Sequence, residues 1–207
     1  MSSFDERART WDDDPGKVER GRLVATTIRA AVPVGPATRL LEYGAGTGLA
    51  AQELATDVGS ITLADPSEGM RSVMAEKIAA GTFPPGTRVW DLDLASHPVP
   101  DERFDLILSV MALHHIVELA PVLQGLAAML EPGGYLCVVD LEEDPGGSFH
   151  QASPDFEGHD GFRRDDLAKR LRAAGFGSVD FQPCHEVTKD GATYPLFLAT
   201  ATRPPGS

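Results

Sequence analysis

Glu42-Tyr43-Gly44-Ala45-Gly46-Thr47-Gly48 sets the fold of this chain. Arg39-Leu40-Leu41 before it reads as the end of a buried strand, and Leu49-Ala50-Ala51-Gln52-Glu53-Leu54 after it as the start of a helix. Glycines at alternate positions let the backbone turn sharply and approach a ligand closely. A strand, such a loop and a helix N-terminus together form a nucleotide-type binding crevice. The spacing narrows the choice. A dinucleotide loop runs G-x-G-x-x-G, and its third glycine would fall at Leu49. This chain has G-x-G-x-G instead, with the carboxylate of Glu42 two residues before the first glycine.

Outward from the loop, strands and helices alternate. Residues 4–31 carry Val18, Leu23, Val24, Thr27 and Ile28 at roughly helical spacing, so one or two helices precede the first strand, and Pro33 and Pro36 end them. Strands are expected at Thr38–Tyr43, Ile61–Ala64, Arg88–Leu92, Phe104–Val110 and Tyr135–Asp140. Between them fall helices at Gly48–Thr56, after the capping Ser67, and along Leu119, Leu123, Leu126 and Leu130. The unbroken Leu106-Ile107-Leu108 core fits a strand covered on both faces. Five alternations imply a parallel sheet with right-handed crossovers.

The rhythm then changes. Residues 142–161 are rich in Gly, Asp, Ser and His and read as a long loop or lid. A helix at Arg164–Ala174 is followed by strands at Ser178–Val187 and Tyr194–Thr202, joined through Asp190-Gly191 as a hairpin. Pro195 is expected at a strand start. The fold class is therefore α/β: a Rossmann-like three-layer sandwich with a mostly parallel seven-stranded sheet and a C-terminal antiparallel hairpin.

Composition sets outer bounds. A chain of 207 residues is enough for one sizeable core, so residues 1–207 read as one domain. The net charge of -13 repels phosphate backbones and argues against a nucleic-acid partner. No apolar run approaches the roughly 20 residues of a membrane span, and no apolar signal core follows Met1, so no membrane is expected. Cys137 and Cys184 make neither a metal-ligand pair nor a redox motif, which suits reduced thiols in the cytoplasm. The runs Asp12-Asp13-Asp14 and Glu142-Glu143-Asp144 read as solvated surface.

The ordered set of the glycine loop, Leu63-Ala64-Asp65-Pro66-Ser67-Glu68-Gly69-Met70, Asp91-Leu92-Asp93-Leu94, Phe104-Asp105-Leu106-Ile107 and Leu130-Glu131-Pro132-Gly133-Gly134 resembles the class I S-adenosylmethionine (SAM)-dependent methyltransferases of the bacterial small-molecule type. Gly175-Phe176 and Tyr194-Pro195-Leu196-Phe197-Leu198 extend the likeness toward the C-terminus. The resemblance implies SAM as cofactor and S-adenosylhomocysteine as product. It implies that Glu42 helps hold the amino-acid end of SAM and that the backbone of Tyr43, Gly44, Ala45 and Gly46 lines its methionine part. Asp65, followed by Pro66, would accept both ribose hydroxyls, Met70 would pack on the adenine face, and Asp93 with Leu94 would meet the adenine edge. Ser109 and Val110 would approach through backbone atoms, and Trp11 would close over the cofactor from the N-terminal helices. Asp91 is the alternative to Asp93. Glu42 stands where the family often has Asp, and Tyr43 is bulkier than the commoner aliphatic residue.

The acceptor chemistry is carried by histidines. A hydroxyl or ammonium nucleophile is helped by a base of near-neutral pKa, and imidazole is the natural candidate. His114, just past the fourth strand, is the candidate catalytic base, and His115 takes a structural role at the helix start. Adjacent residues on a helix do not share a face, so the two are expected to do different work. His150 and His159 in the long loop read equally as solvent-exposed. A histidine cluster could take a metal, but no tight ligand spacing supports one, so no metal is assigned. The expected activity is methyl transfer to an oxygen or nitrogen of a small molecule, by a monomer or homodimer. The N-terminal helices at about 4–31 and the 142–161 loop cap the acceptor pocket. The rivals are a non-catalytic SAM-binding regulator, another SAM reaction and a nicotinamide-dependent oxidoreductase.

Overall fold

The computed structural model describes residues 3–153 and 155–205. Seven strands form one sheet: β1 (Arg39–Tyr43), β2 (Ser60–Ala64), β3 (Arg88–Trp90), β4 (Phe104–Val110), β5 (Leu130–Leu141), β6 (Val179–Lys189) and β7 (Ala192–Thr202). Their order is β3-β2-β1-β4-β5-β7-β6. The first five strands pair in parallel, while β7 runs antiparallel between β5 and β6. The expected parallel sheet with its terminal hairpin is therefore present. The hairpin turns at Asp190 and Gly191, both with positive φ (51° and 80°), as a two-residue Asp-Gly loop requires.

The helices are α1 (Ser3–Arg7), α2 (Pro15–Ala31), α3 (Leu49–Leu54), α4 (Glu68–Ala79), α5 (Leu119–Met129) and α6 (Arg164–Ala173). Alternate strand residues feed two cores. Leu40, Leu106 and Leu108 pack with Val24, Ile28, Leu54, Met70 and Met74 on the face of α2, α3 and α4. Leu41, Ile107 and Leu136 pack with Leu123, Leu126, Leu167 and Leu171 on the face of α5 and α6. That is the three-layer arrangement. Each fully buried Leu or Ile contributes about 1.5–3 kcal/mol, so the apolar run of β4 forces a central position with helices on both sides.

Several local expectations are corrected. Val18 is 41% exposed, and the buried stripe of α2 runs instead through Gly21, Val24, Ala25 and Ile28. Pro195 is the fourth residue of β7, not its start. Its carbonyl accepts from Glu142 N–H at 3.0 Å, just past the last β5–β7 pair at Leu141 and Leu196. The missing proline N–H therefore falls where β5 has ended, and no ladder bond is lost. The third strand stops at Trp90 and not at Leu92, so Asp91 and Asp93 both lie in the loop after it.

The acidic runs are not plain surface. Asp14 caps α2 by accepting from Gly16 N–H at 2.9 Å. Asp12 accepts from the Thr47 hydroxyl and, at 2.9 Å, from Lys77 Nζ. Glu142 accepts from Arg164, and Asp144 accepts from Ser148 Oγ and Phe149 N–H, each at 2.9 Å. Asp13 and Glu143 are exposed as expected.

Candidate active site

The order reversal in the sheet lies between β1 and β4, since the chain leaves β1 toward β2 and β3 and later returns to β4 and β5. A crevice opens beyond the carboxyl ends of strands at such a point. The strands end nearly level there, with Tyr43 opposite Ala64, Ala64 opposite Trp90, and Val110 opposite Val139.

The glycine loop fills the end of β1. Gly44 and Ala45 N–H both donate to Ala64 O, at 2.9 and 3.0 Å. Gly46 N–H donates to Asp65 Oδ2 at 2.8 Å, and Ser67 N–H to Asp65 Oδ1 at 2.9 Å. Asp65 therefore ties the loop after β1 to the turn after β2. Gly44 has φ 68°, and a Cβ there would lie 2.5 Å from Ala112 Cβ. Only glycine fits, because the turn that follows β4 presses directly on the loop.

Two charges are unusually placed. Glu42 is 2% exposed and accepts from Ala51 N–H of α3 at 2.9 Å. Burial pushes its pKa up to about 7, against the pull of the Ala51 hydrogen bond and of Lys77. Burial also raises Asp65, opposed by its hydrogen bonds to Ser67 and Gly46 and by Arg71. The cations near these carboxylates are already engaged. Lys77 pairs with Asp12, and Arg71 reaches the carbonyls of Asp65 and Pro66 and the Asp91 carboxylate. These acceptors suit a ligand with positive groups and hydroxyl donors. A pyrophosphate would meet the two carboxylates instead of a cation.

The structure brings Trp11, Glu42, Tyr43, Gly44, Ala45, Gly46, Asp65 and Leu94 into one connected group. A Cβ on Gly46 would lie 3.7 Å from Trp11 Nε1, so the N-terminal segment covers the loop. That segment is pinned by Asp5, which accepts from Ser67 Oγ at 2.6 Å and Gly69 N–H at 3.0 Å, and by Asp12 on Thr47. Lys17 Nζ sits 4.3 Å from the Trp11 ring.

Tyr43 is 3% exposed, and its hydroxyl accepts from Leu94 N–H at 3.1 Å. The bulky ring is thus spent on holding the loop after β3. Burial pushes its phenol up to about 12. Asp93 accepts from Ala95 N–H at 3.0 Å and Ser96 Oγ at 2.8 Å, shaping the same loop. Asp91 is exposed and paired with Arg71. Pro66 is exposed, whereas Met70 is 1% exposed within the core. Ser109 is fully buried, and its hydroxyl has no hydrogen-bond partner among the described residues; Val110 is half-buried beside it.

Past β4 the chain enters the left-handed region at Met111, φ 53°, before a single 3-10 turn at Leu113–His115. A non-glycine residue there stores strain, which favours functional positions. His114 is 1% exposed. Its Nδ1 lies 2.6 Å from Asp140 Oδ1, and its N–H donates to Asp140 Oδ2 at 3.2 Å. Asp140 is fully buried at the end of β5 and also accepts from Leu141 N–H at 2.8 Å. A carboxylate on Nδ1 fixes the ring and keeps the Nε2 lone pair for other partners.

His114 and His115 differ in environment: His114 is buried against Asp140, whereas His115 is exposed. Their rings nevertheless lie side by side in the 3-10 turn, with centroids 4.1 Å apart and planes tilted by 42°. His150, expected as readily on the surface, is 8% exposed, stacks on Phe156 at 3.5 Å and has Nδ1 3.1 Å from Asp160 Oδ1. His159 donates its N–H to His114 O at 2.7 Å, and its Nε2 is buried. Burial lowers the pKa of His150, with Asp160 opposing. His115 keeps an open edge, yet the protein packed around it and the neighbouring His114 lower its pKa as well.

Sequence reasoning missed Asp140, Asp5, Asp12 and Ala112. Asp140 carried a signal, because a lone carboxylate ends the apolar run Leu136-Cys137-Val138-Val139, as Glu42 ends Leu40-Leu41. An open groove lined by Arg164, Cys184, His185, Thr188 and Pro195 lies along β6 and shares no residue with this site.

A seven-stranded β3-β2-β1-β4-β5-β7-β6 sheet with an acidic glycine loop at its order reversal defines a class I SAM-dependent methyltransferase. The chain belongs to the methyltransferase-domain family, whose model matches residues 4–180, and its cofactor is SAM. It is 27% identical over 192 residues to an uncharacterized methyltransferase of Geobacillus kaustophilus, covering 85% of each chain. It is 33% identical over 146 residues to a demethylmenaquinone methyltransferase of Clavibacter sepedonicus, covering 69% of this chain and 58% of that protein. The chain spans only 3% and 5% of the length of two fungal synthetases that it also matches. The methyltransferase solved in complex with the Haloferax volcanii Trm112 activator superposes with TM-score 0.79 at 18% identity, covering 99% of each chain. Among the described residues, no helix is long and apolar enough to cross a membrane.

Proposed function

We propose that this protein methylates an oxygen or nitrogen atom of a small molecule, with His114 as the base that takes the acceptor's proton. The observation that carries the reading is the buried His114–Asp140 pair at the carboxyl end of β4 and β5, one turn from the loop that Ala112 touches. SAM supplies a methyl group already activated on a sulfonium. What the chain adds is alignment, exclusion of water and a place for the proton. Alignment alone is worth roughly 7–11 kcal/mol in favourable cases.

In this reading Glu42, the Tyr43–Gly46 backbone, Asp65 with Pro66, Met70, Asp93, Leu94, Ser109, Val110 and Trp11 form the cofactor side. Asp65 has capacity for ribose hydroxyls beyond its two backbone donors, because each carboxylate oxygen accepts more than one hydrogen bond. The N-terminal helices and the 142–161 loop close the acceptor side, with Phe4 5.1 Å from the His115 ring and Phe156 6.4 Å from that of His114. Asp140 holds His114 in one tautomer, so that Nε2 faces the acceptor as a proton acceptor. The chain works as one domain, in the cytoplasm, as a monomer or homodimer, without nucleic acid or membrane. The likeness to demethylmenaquinone methyltransferases supports a small acceptor.

A panel of phenols, alcohols and amines offered with methyl-labelled SAM tests this. The expected result is labelled O- or N-methyl product, with His114→Ala losing about 10²- to 10⁴-fold in kcat and binding SAM normally. Product methylated only on carbon, or unchanged turnover of the variant at saturating acceptor, would contradict it.

A further inference from the structure

We infer that His114, His115 and His150 form a binding site for a zinc-type divalent cation. The three rings come from two distant places in the chain, the turn after β4 and the loop after β5, and each presents a nitrogen within 4.8 Å of the other two. A tetrahedral ion with bonds of about 2.0–2.1 Å needs ligand nitrogens about 3.4 Å apart. The nitrogens of the cluster, all within 4.8 Å of one another, lie in the range from which such an ion can draw them together. Its most exposed member is His115.

Three further features separate this cluster from a chance meeting of rings. Two of the rings are held on Nδ1 by a carboxylate, His114 by Asp140 at 2.6 Å and His150 by Asp160 at 3.1 Å. A carboxylate behind the ring orients a metal-ligating imidazole and raises its basicity. His150 is 8% exposed, and its Nε2 is buried with no hydrogen-bond partner among the described residues. A buried polar atom without a partner is costly, and an ion would satisfy it. The rings are walled by Phe4, Phe149 and Phe156, an apolar shell that limits competition from water.

Imidazole ligands select zinc, copper, iron and nickel over magnesium or calcium, and three of them leave one position of a tetrahedral ion open. The ion would take Nε2 of His114, since Nδ1 is committed to Asp140. Base catalysis by His114 and a loaded cluster are therefore alternative states of one nitrogen. Metal binding needs neither SAM nor an acceptor, so its failure and the failure of the methyl-transfer reading are told apart.

The test uses the full chain, stripped with chelator and titrated with Co²⁺ and then displaced with Zn²⁺. Expected are one equivalent bound, the visible absorption of tetrahedral Co²⁺, and a rise in melting temperature with Zn²⁺. His150→Ala and His115→Ala should lose the band and the thermal shift. Asp160→Asn should weaken affinity by about 10- to 100-fold, and His185→Ala, on the β6 groove, should leave it unchanged. Because His150→Ala removes a packed ring, the exposed His115 variant decides if that chain does not fold. Folded wild-type protein that binds neither ion, or binding equal in wild type and His115→Ala, overturns the site.

Discussion

The Asp65 carboxylate accepts the Gly46 backbone N–H at 2.8 Å, joining the loop after β1 to the turn after β2. This bond sets the loop in the shape that the cofactor meets. Asp65→Ala removes both it and the bond to Ser67 N–H. A hydrogen bond to a charged group is worth about 1.5–3 kcal/mol, so SAM affinity should fall by about 10- to 100-fold. Asp65→Asn, which keeps one acceptor oxygen, should lose less. Calorimetric Kd values for the two variants check the order, and equal affinities in all three proteins would count against the bond's role.

Glu42 predicts a dependence on pH. A carboxyl whose folded pKa is raised, here to about 7, binds its proton more tightly in the folded chain. Stability of the ligand-free protein therefore falls as pH climbs from about 4.5 to about 7 and stays lower above that. Glu42→Gln should be the more stable protein at pH 8, by up to about 3 kcal/mol at 1.36 kcal/mol per pKa unit. Below pH 4.5 the two should converge. SAM, which carries positive groups, should bind wild type more tightly as pH rises from about 5.5 to 8 and bind the variant with a flat profile. Denaturant melts and titrations at several pH values measure both.

Tyr43 holds Leu94 N–H through its hydroxyl. Tyr43→Phe keeps the ring and leaves a buried donor unpaired, which costs about 1–3 kcal/mol. The loop from Leu92 to His97 should exchange its amide hydrogens faster. Unchanged stability together with unchanged exchange would mean that water or another acceptor replaces the phenol.

Gly44 and Gly81 separate sterics from backbone preference. Both have positive φ, 68° and 79°, but a Cβ on Gly81 meets nothing within 4 Å, whereas one on Gly44 meets Ala112 at 2.5 Å. Gly81→Ala should cost about 1–2 kcal/mol. Gly44→Ala should cost clearly more and weaken SAM binding as well. Similar melting temperatures for the two variants would show that the turn after β4 yields easily.

The sheet was legible because its signals are local. Apolar strand cores, the glycine loop, the Ser67 cap and the Asp190-Gly191 turn each act over a few residues, and all appear as expected. Pairings across the fold were not legible. Asp12 looked like solvated charge until the N-terminal segment folded over Thr47 and Lys77. Tyr43 looked merely bulkier than the commoner aliphatic residue, whereas its hydroxyl is turned to Leu94. His150 looked exposed in a polar loop, and only that loop's return over the turn after β4 stacks it on Phe156 beside His114. No periodicity in a sequence reports such a meeting.

The most direct test of the central claim, that an acidic crevice at the β1–β4 reversal binds a positively charged nucleoside, is calorimetric titration of the folded chain with SAM, S-adenosylhomocysteine and NAD. Saturable binding of SAM and of its demethylated product, with none of NAD, is the expected result. Binding of NAD alone, or of none of the three by protein whose fold is intact, would contradict it.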